Sequence, residues 1–186
     1  MLTNVDIERM APKMNIPLAM CGFKDELPRT LEANKYYSIN LEDEQDKESK
    51  QMNNGSHWVG FQVRTSHNGS KPQAVYFDSY GKAPPKSIVK AIKKTFDVEP
   101  WYPTKDVQSM VADSCGWWNL AWAHFVNDKR FMSESLKKDT ELFIEPFNDL
   151  NLVNDYHFNE WLLKHFFQSK DKNLQKQIPI PNVVKS

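Results

Sequence analysis

The run Cys115-Gly116-Trp117-Trp118-Asn119-Leu120-Ala121-Trp122-Ala123-His124-Phe125-Val126-Asn127 most constrains the fold, because it reads as a helix that is apolar on most sides. A helix with almost no polar face has to be buried, so the rest of the chain must be arranged around it. Asp113-Ser114 precedes the run, and Cys115 falls where the helix begins. The first N–H groups of a helix lack intrahelical partners, and its dipole is positive at that end. Both favour a negative sulfur, as at reactive cysteines generally. Gly116 lets backbone approach closely beside that sulfur. A buried helix presenting one thiol at its open end is a rigid mount for a nucleophile. A small buried cysteine without chemistry fits the same local sequence.

A thiol nucleophile needs a base, and the chain has five histidines. His67 lies in an expected turn, and His157 and His165 lie on a late helix as ordinary surface or core residues. His124 is nine positions after Cys115, and at about 100° per residue that puts it on the opposite side of the helix. His57 opens a β-rich run, His57-Trp58-Val59-Gly60-Phe61-Gln62-Val63-Arg64. A second run, Gln73-Ala74-Val75-Tyr76-Phe77-Asp78, follows Ser66-His67-Asn68-Gly69-Ser70, and Asn-Gly is a strong hairpin signal. A register centred on Asn68-Gly69 sets His57 opposite Tyr80 and leaves Asp78 two residues from that partner. His57 and Asp78 then become diagonal neighbours on one face, roughly 7–8 Å apart and within reach of a rotated side chain. A slip of one residue would send Asp78 to the other face. The alternative for Asp78 is a strand-ending aspartate that opens the turn Ser79-Tyr80-Gly81. Gln108, seven residues before Cys115, carries an amide able to donate to an oxyanion beside the Cys115 N–H.

The remaining elements follow from local signals. Thr3-Asn4-Val5-Asp6 caps a short helix to about Met10, where Pro12 discourages continuation. Cys21 to Pro28 reads as a loop in which Asp25 and Glu26 act structurally, and Tyr36 to Leu41 reads as a strand. Residues 42–56 are charged and polar without periodicity, as in a mobile surface loop. Pro84-Pro85 introduces an amphipathic helix with Ile88, Val89, Ile92 and Phe96 on one stripe. Val98 to Tyr102 is a further expected strand. Two helices are expected near Ser133–Phe143 and Asp155–Phe167, then an extended Lys-rich tail over 170–186. No repeat or linker divides the chain, so residues 1–186 are read as one domain.

Twenty-four basic and 24 acidic residues cancel, so this is not a protein that grips nucleic acid over its whole surface. No apolar run approaches the ~20 residues of a membrane helix, and the N-terminus lacks the pattern of a signal peptide. Two cysteines, Cys21 and Cys115, make no disulfide framework and fit a reducing compartment. There is no paired-Cys or His-Glu-x-x-His pattern for a metal and no phosphate-binding loop. No cofactor is expected.

Taken together, Gly55-Ser56-His57-Trp58-Val59, Tyr76-Phe77-Asp78-Ser79-Tyr80-Gly81 and Gln108-Ser109 with Asp113-Ser114-Cys115-Gly116-Trp117 resemble the adenovirus-type maturation protease family. That family belongs to the wider clan of ubiquitin-like-protein proteases. The order His, acid, Gln, Cys-Gly is that clan's order and the reverse of papain's, in which Cys comes first. Leu2-Thr3-Asn4-Val5-Asp6-Ile7 and Phe23-Lys24-Asp25-Glu26-Leu27-Pro28 resemble proteases encoded by virophages and polinton-like elements. The resemblance spans roughly residues 2 to 127.

It implies an α+β fold in which a small mixed sheet packs against the Cys-bearing helix, with further helices around it. It implies a thiol endopeptidase with Cys115, His57, Asp78 and Gln108 as catalytic residues. The substrates would be viral capsid or core precursors, cut in the virion or in the host cell during assembly after small residues such as Gly-Gly or Gly-X. Trp58, Trp117 and Gly116 would border a narrow substrate tunnel, although both tryptophans also suit an ordinary core. Asp78 stands where the adenoviral enzyme has glutamate. That enzyme is basic and is stimulated by DNA and by a disulfide-linked peptide. Here the neutral charge and the position of Cys21 support neither activator. A protease acting on a ubiquitin-like modifier, or an inactive capsid component of the same fold, are the competing readings.

Overall fold

The computed structural model describes residues 1–42, 57–109, 112–150 and 153–170. The motif residues Gly55 and Ser56, residues 43–56 of the loop expected over 42–56, and residues 171–186 of the tail expected over 170–186 lie outside the described residues. In chain order the elements are α1 (Asn4–Lys13), β1 (Leu18–Phe23), a 3-10 turn (Lys24–Glu26), β2 (Tyr36–Asn40), β3 (Trp58–Arg64), β4 (Gln73–Phe77), α2 (Lys86–Phe96), α3 (Cys115–Val126), α4 (Leu136–Ile144) and α5 (Val153–Lys170). The protein is a mixed α+β fold. Among the described residues four strands form one sheet in the order β1-β2-β3-β4. β1 runs parallel to β2, and the other neighbours are antiparallel. Among the described residues no helix is long and apolar enough to cross a membrane.

The sheet is covered on both faces. Tyr36, Trp58, Val75 and Phe77 point into a large core shared with α1, α3, α4 and α5. The alternate residues Tyr37, Ile39, Val59, Phe61, Val63 and Tyr76 point into a smaller core with Ile88 and Ile92 of α2. This is the period-two alternation of a strand with both faces buried. α3 is the centre of the larger core, and every residue from Cys115 to Ala123 is buried, as its composition requires. Trp122 meets Phe77 in a stacked contact at 5.4 Å and Tyr36 edge-on at 6.0 Å. A buried indole removes about 200 Å² from water, worth roughly 5 kcal/mol before the entropy of ordering it is subtracted. Gly60 allows α3 to come this close to β3. A Cβ there would lie 2.6 Å from the Tyr36 ring and 2.9 Å from Asn119 Oδ1.

Three sequence expectations need correction. α1 continues through Pro12 to Lys13, because a proline in the last turn forfeits only one backbone bond. The segment expected as a loop from Cys21 begins with the second half of β1, which extends the sheet by parallel pairing with β2. The strand expected at Val98–Tyr102 is reduced to a single bridge, Val75 to Trp101. The hairpin register, in contrast, is the expected one. Gly60 faces Phe77 and Arg64 faces Gln73, and continuing that ladder sets His57 opposite Tyr80. Gly69 takes a positive φ of 76° in the connecting turn.

Candidate active site

His57 is the residue before β3, and Asp78 is the residue after β4. At these ends the pleat no longer dictates side-chain direction, so both can turn toward the N-terminus of α3. His57 Nε2 meets Asp78 Oδ1 at 2.8 Å. The same oxygen accepts the Tyr80 backbone N–H at 2.9 Å, and Gly81 N donates to Asp78 O to close the turn. Asp78 is 2% exposed, so its carboxyl is aimed by the turn and not by solvent. The imidazole lies flat on Tyr80, with ring centroids 4.3 Å apart.

Cys115 is the first residue of α3 and is 2% exposed. Its Sγ accepts the Trp58 backbone N–H at 3.4 Å, which joins the start of β3 to the thiol. Asn119, one turn along α3, donates to both Trp58 O at 2.8 Å and Cys115 O at 2.9 Å. That side chain rivets the first turn of α3 to the strand beside His57. With Nε2 engaged by Asp78, Nδ1 is the nitrogen left for the thiol. It is buried and makes no aligned hydrogen bond among the described residues. Burial by itself would lower the His57 pKa, but hydrogen bonding and charge interactions with Asp78 and Cys115 outweigh it and hold the imidazole up at about 9.

Gln108 is wholly buried. Its Oε1 accepts the Ser79 hydroxyl at 2.6 Å, and its Nε2 donates to Ala112 O at 2.7 Å. The Ala112 carbonyl can only accept, so it settles which way the amide points: the NH2 end faces the loop that leads into Cys115. A primary amide has two N–H donors, so the bond to Ala112 leaves one N–H for another acceptor. Ser79 also accepts the backbone N–H groups of Val107 and Gln108. The turn Asp78-Ser79-Tyr80 thus supplies three successive residues to the site, of which only the first drew notice in the sequence as a site residue.

The residues expected to border substrate are less open than the tunnel picture requires. Trp117 is a core residue, edge-on to Phe167 of α5 at 5.1 Å. Trp58 is 5% exposed, and its Nε1 donates to Leu2 O at 2.9 Å. The space above Gly116 is taken by the Leu2 side chain, within 3.0 Å of where a Cβ would stand. The N-terminal residues reach the site because Thr3 and Asp6 form a reciprocal capping box that starts α1 there. His124 Nδ1 lies 2.6 Å from Met14 O, while His67, His157 and His165 are exposed. Asn119 could have been noticed as the one amide in an apolar helix, i+4 from the cysteine. Nothing local marks Leu2 or Ser79.

No protein-family model matches this chain, and no curated protein sequence matches it. Its chemistry has to be read from the residues themselves. Among the described residues no cluster of three or more His, Cys, Asp or Glu side chains is placed to hold a metal ion.

Proposed function

We propose that the protein is a cysteine endopeptidase in which Cys115 is the nucleophile, His57 the acid–base group and Asp78 the residue that orients it. The observation that carries this reading is the imidazole held at 2.8 Å by a buried carboxylate, with its pKa raised by the neighbouring thiol as well as by that carboxylate. A proton kept on His57 at neutral pH is the acidic half of a thiolate–imidazolium pair.

In this mechanism the Cys115 sulfur attacks the scissile carbonyl carbon, and the carbonyl π electrons move to oxygen. The oxyanion is met by the Cys115 N–H and the free N–H of Gln108. Collapse expels the amine, which takes the proton from His57 and leaves a thioester. Water then attacks the thioester; His57 takes its proton and keeps it as the sulfur departs with the C–S electron pair, which restores the starting pair. Asp78 accepts from Nε2 throughout and fixes the tautomer that leaves Nδ1 to the thiol.

The substrate class follows from the resemblance in the sequence: viral capsid or core precursors, cut after small residues during maturation in the virion or the assembling host cell. The buried thiol and the close cover of Leu2 and Trp58 favour a substrate with little side-chain bulk at the cut. The test is to incubate the protein with a candidate capsid precursor and sequence the new N-termini. Discrete new termini that vanish with Cys115→Ala are expected. Cleavage at the wild-type rate by a folded Cys115→Ala protein would refute the scheme.

A further inference from the structure

The first rung of β3 lacks a strand on one side. Leu41 N donates to His57 O at 3.0 Å, and Asn40 faces Trp58 in the β2–β3 register. Along an antiparallel strand, successive residues turn their peptide groups to opposite neighbours. The Trp58 N–H and C=O therefore face away from β2, toward the side on which β4 lies. β4 does not reach them. Its pairing with β3 stops at Gly60 and Phe77, and the chain then turns through Asp78 to Gly81. Trp58 is 5% exposed, and buried peptide groups are costly without partners.

α3 supplies both partners. Cys115 Sγ accepts the Trp58 N–H at 3.4 Å, and Asn119 Nδ2 donates to Trp58 O at 2.8 Å. The same Nδ2 donates to Cys115 O at 2.9 Å. Both acceptors are carbonyls, so the NH2 end of the Asn119 amide has to point this way. Its Oδ1 is buried and makes no hydrogen bond among the described residues. An idle buried oxygen is a cost that an apolar side chain of the same size would avoid. What the amide adds at this position is its two N–H donors.

We propose that Asn119 is a positioning residue for Cys115: by taking the place of the missing strand at Trp58 O, it docks the start of β3 on the first turn of α3, with the Trp58 N–H on the sulfur and His57 beside it. This rests on the reading of Cys115 as nucleophile. A hydrogen bond from a peptide N–H favours the charged form of its acceptor, and the residue that gives it is the chain neighbour of the base. One amide thus holds in place both groups that face the sulfur from β3. Gly60 makes room for it, since a Cβ there would lie 2.9 Å from Asn119 Oδ1.

The test compares Asn119→Leu with the wild-type protein in the full chain; leucine keeps the volume and the apolar contacts and has no donor. Three quantities are followed: alkylation of Cys115 by iodoacetamide at pH 6 and pH 10, located by mass spectrometry, peptide cleavage, and amide hydrogen exchange at Trp58. In folded Asn119→Leu, alkylation at pH 6 should slow by about fivefold to tenfold, the size of one net hydrogen bond. At pH 10 thiols ionise without help, so the two proteins should converge. kcat should fall by a similar factor with KM little changed, and exchange at Trp58 should quicken. A role in packing alone predicts wild-type rates once the apolar contacts are kept. The inference is overturned by wild-type alkylation at pH 6 in folded Asn119→Leu, or by a loss that persists undiminished at pH 10. If Asn119→Leu does not fold, Asn119→Ser decides. A serine hydroxyl in a helix bonds back to the carbonyl four residues earlier, here Cys115 O, and is too short for Trp58 O. The same slowing at pH 6 is then expected, and a wild-type rate overturns the inference. A wild-type Cys115 that is inert at pH 6 would sink the protease reading; the docking by Asn119 then stands if Trp58 exchange quickens in Asn119→Leu and falls if it does not.

Discussion

The His57 ring lies on the Tyr80 ring with centroids 4.3 Å apart and planes 16° from parallel. The same Tyr80 gives its backbone N–H to the Asp78 oxygen that holds His57. One residue thus fixes the imidazole from its face and the carboxyl from its end. Tyr80→Phe keeps both contacts and should leave kcat/KM within about twofold. Tyr80→Ala removes the face and should cost about tenfold in kcat, since a stacked pair contributes roughly 0.5–1.5 kcal/mol and misaimed acid–base groups lose rate. Equal losses in both variants would show that the phenol hydroxyl matters and the stack does not.

The pH dependence follows from His57. Its folded pKa of about 9 lies above the ordinary 6.5, so protonation favours the folded state. That stabilisation is fully present below about 6.5 and is lost as pH rises through about 9. Cleavage should therefore hold through neutrality and fall on an alkaline limb near pH 9, because the leaving amine then finds no proton. Asp78→Asn removes a raising influence and should move that limb to lower pH. His57→Gln should narrow the drop in melting temperature between pH 6.5 and 9. An alkaline limb that stays in place in Asp78→Asn would dissociate it from this imidazole.

Gln108 is held at both ends of its amide, by the Ser79 hydroxyl at 2.6 Å from Oε1 and by Ala112 O at 2.7 Å from Nε2. Gln108→Ala should lower kcat by about 10²–10³, as the loss of an oxyanion donor does, with KM little changed. Ser79→Ala should fall between that variant and wild type, because the amide keeps the Ala112 bond that sets its sense but loses the bond that anchors its Oε1. Full activity in both variants would remove Gln108 from the oxyanion site.

Much of this arrangement was legible in the sequence, and what was not has a common cause. The buried character of α3 follows from Trp117, Trp118, Leu120 and Trp122 alone, and the His57–Asp78 pairing follows from where Asn68-Gly69 centres the hairpin. Both are signals within a few residues or across one turn. β1 was missed because Leu18-Ala19-Met20-Cys21-Gly22-Phe23 becomes a strand only by lying beside β2, and a parallel partner leaves no local turn to detect. Val98–Tyr102 has strand-like residues but makes only one bridge. Leu2 and Ser79 reach the site across distances of sequence that no periodicity spans.

Gly81 closes the turn that carries Asp78, at φ 66°. A Cβ there would lie 2.3 Å from Thr104 O, a backbone atom that cannot swing aside. Gly81→Ala should destabilise the protein by roughly 1–3 kcal/mol, the cost of a strained backbone position, and should lower kcat in whatever remains folded because Asp78 moves with the turn. Urea unfolding and peptide cleavage on the same samples check both halves. A stable variant with unaltered kcat would mean that Thr104 yields and that the turn does not aim the carboxyl.

The far end of β3 provides the opposite case. Arg64 Nη1 meets Asp139 at 2.6 Å and Ser133 O at 2.8 Å, while Nη2 donates to Val126 O at 2.6 Å. Asp139 in turn accepts the Ser133 hydroxyl and N–H. Arg64 is 8% and Asp139 1% exposed, so this ion pair ties β3 to the end of α3 and the start of α4 inside the core. Removing one partner of a buried pair leaves the other charge without compensation and costs about 3–5 kcal/mol, so Asp139→Ala should be strongly destabilised. His57 lies at the other end of the strand, about 20 Å away at 3.3 Å per residue, and shares no hydrogen bond with this pair. The folded fraction of Asp139→Ala should therefore cleave with the wild-type kcat when assayed below its melting transition. Replacing both partners with apolar residues of similar size should recover part of the stability, since the larger loss comes from stranding one charge and not from forgoing the attraction. A kcat that falls in step with Asp139→Ala while the protein stays folded would show that the two ends of β3 are coupled and that the strand is no passive spacer between them.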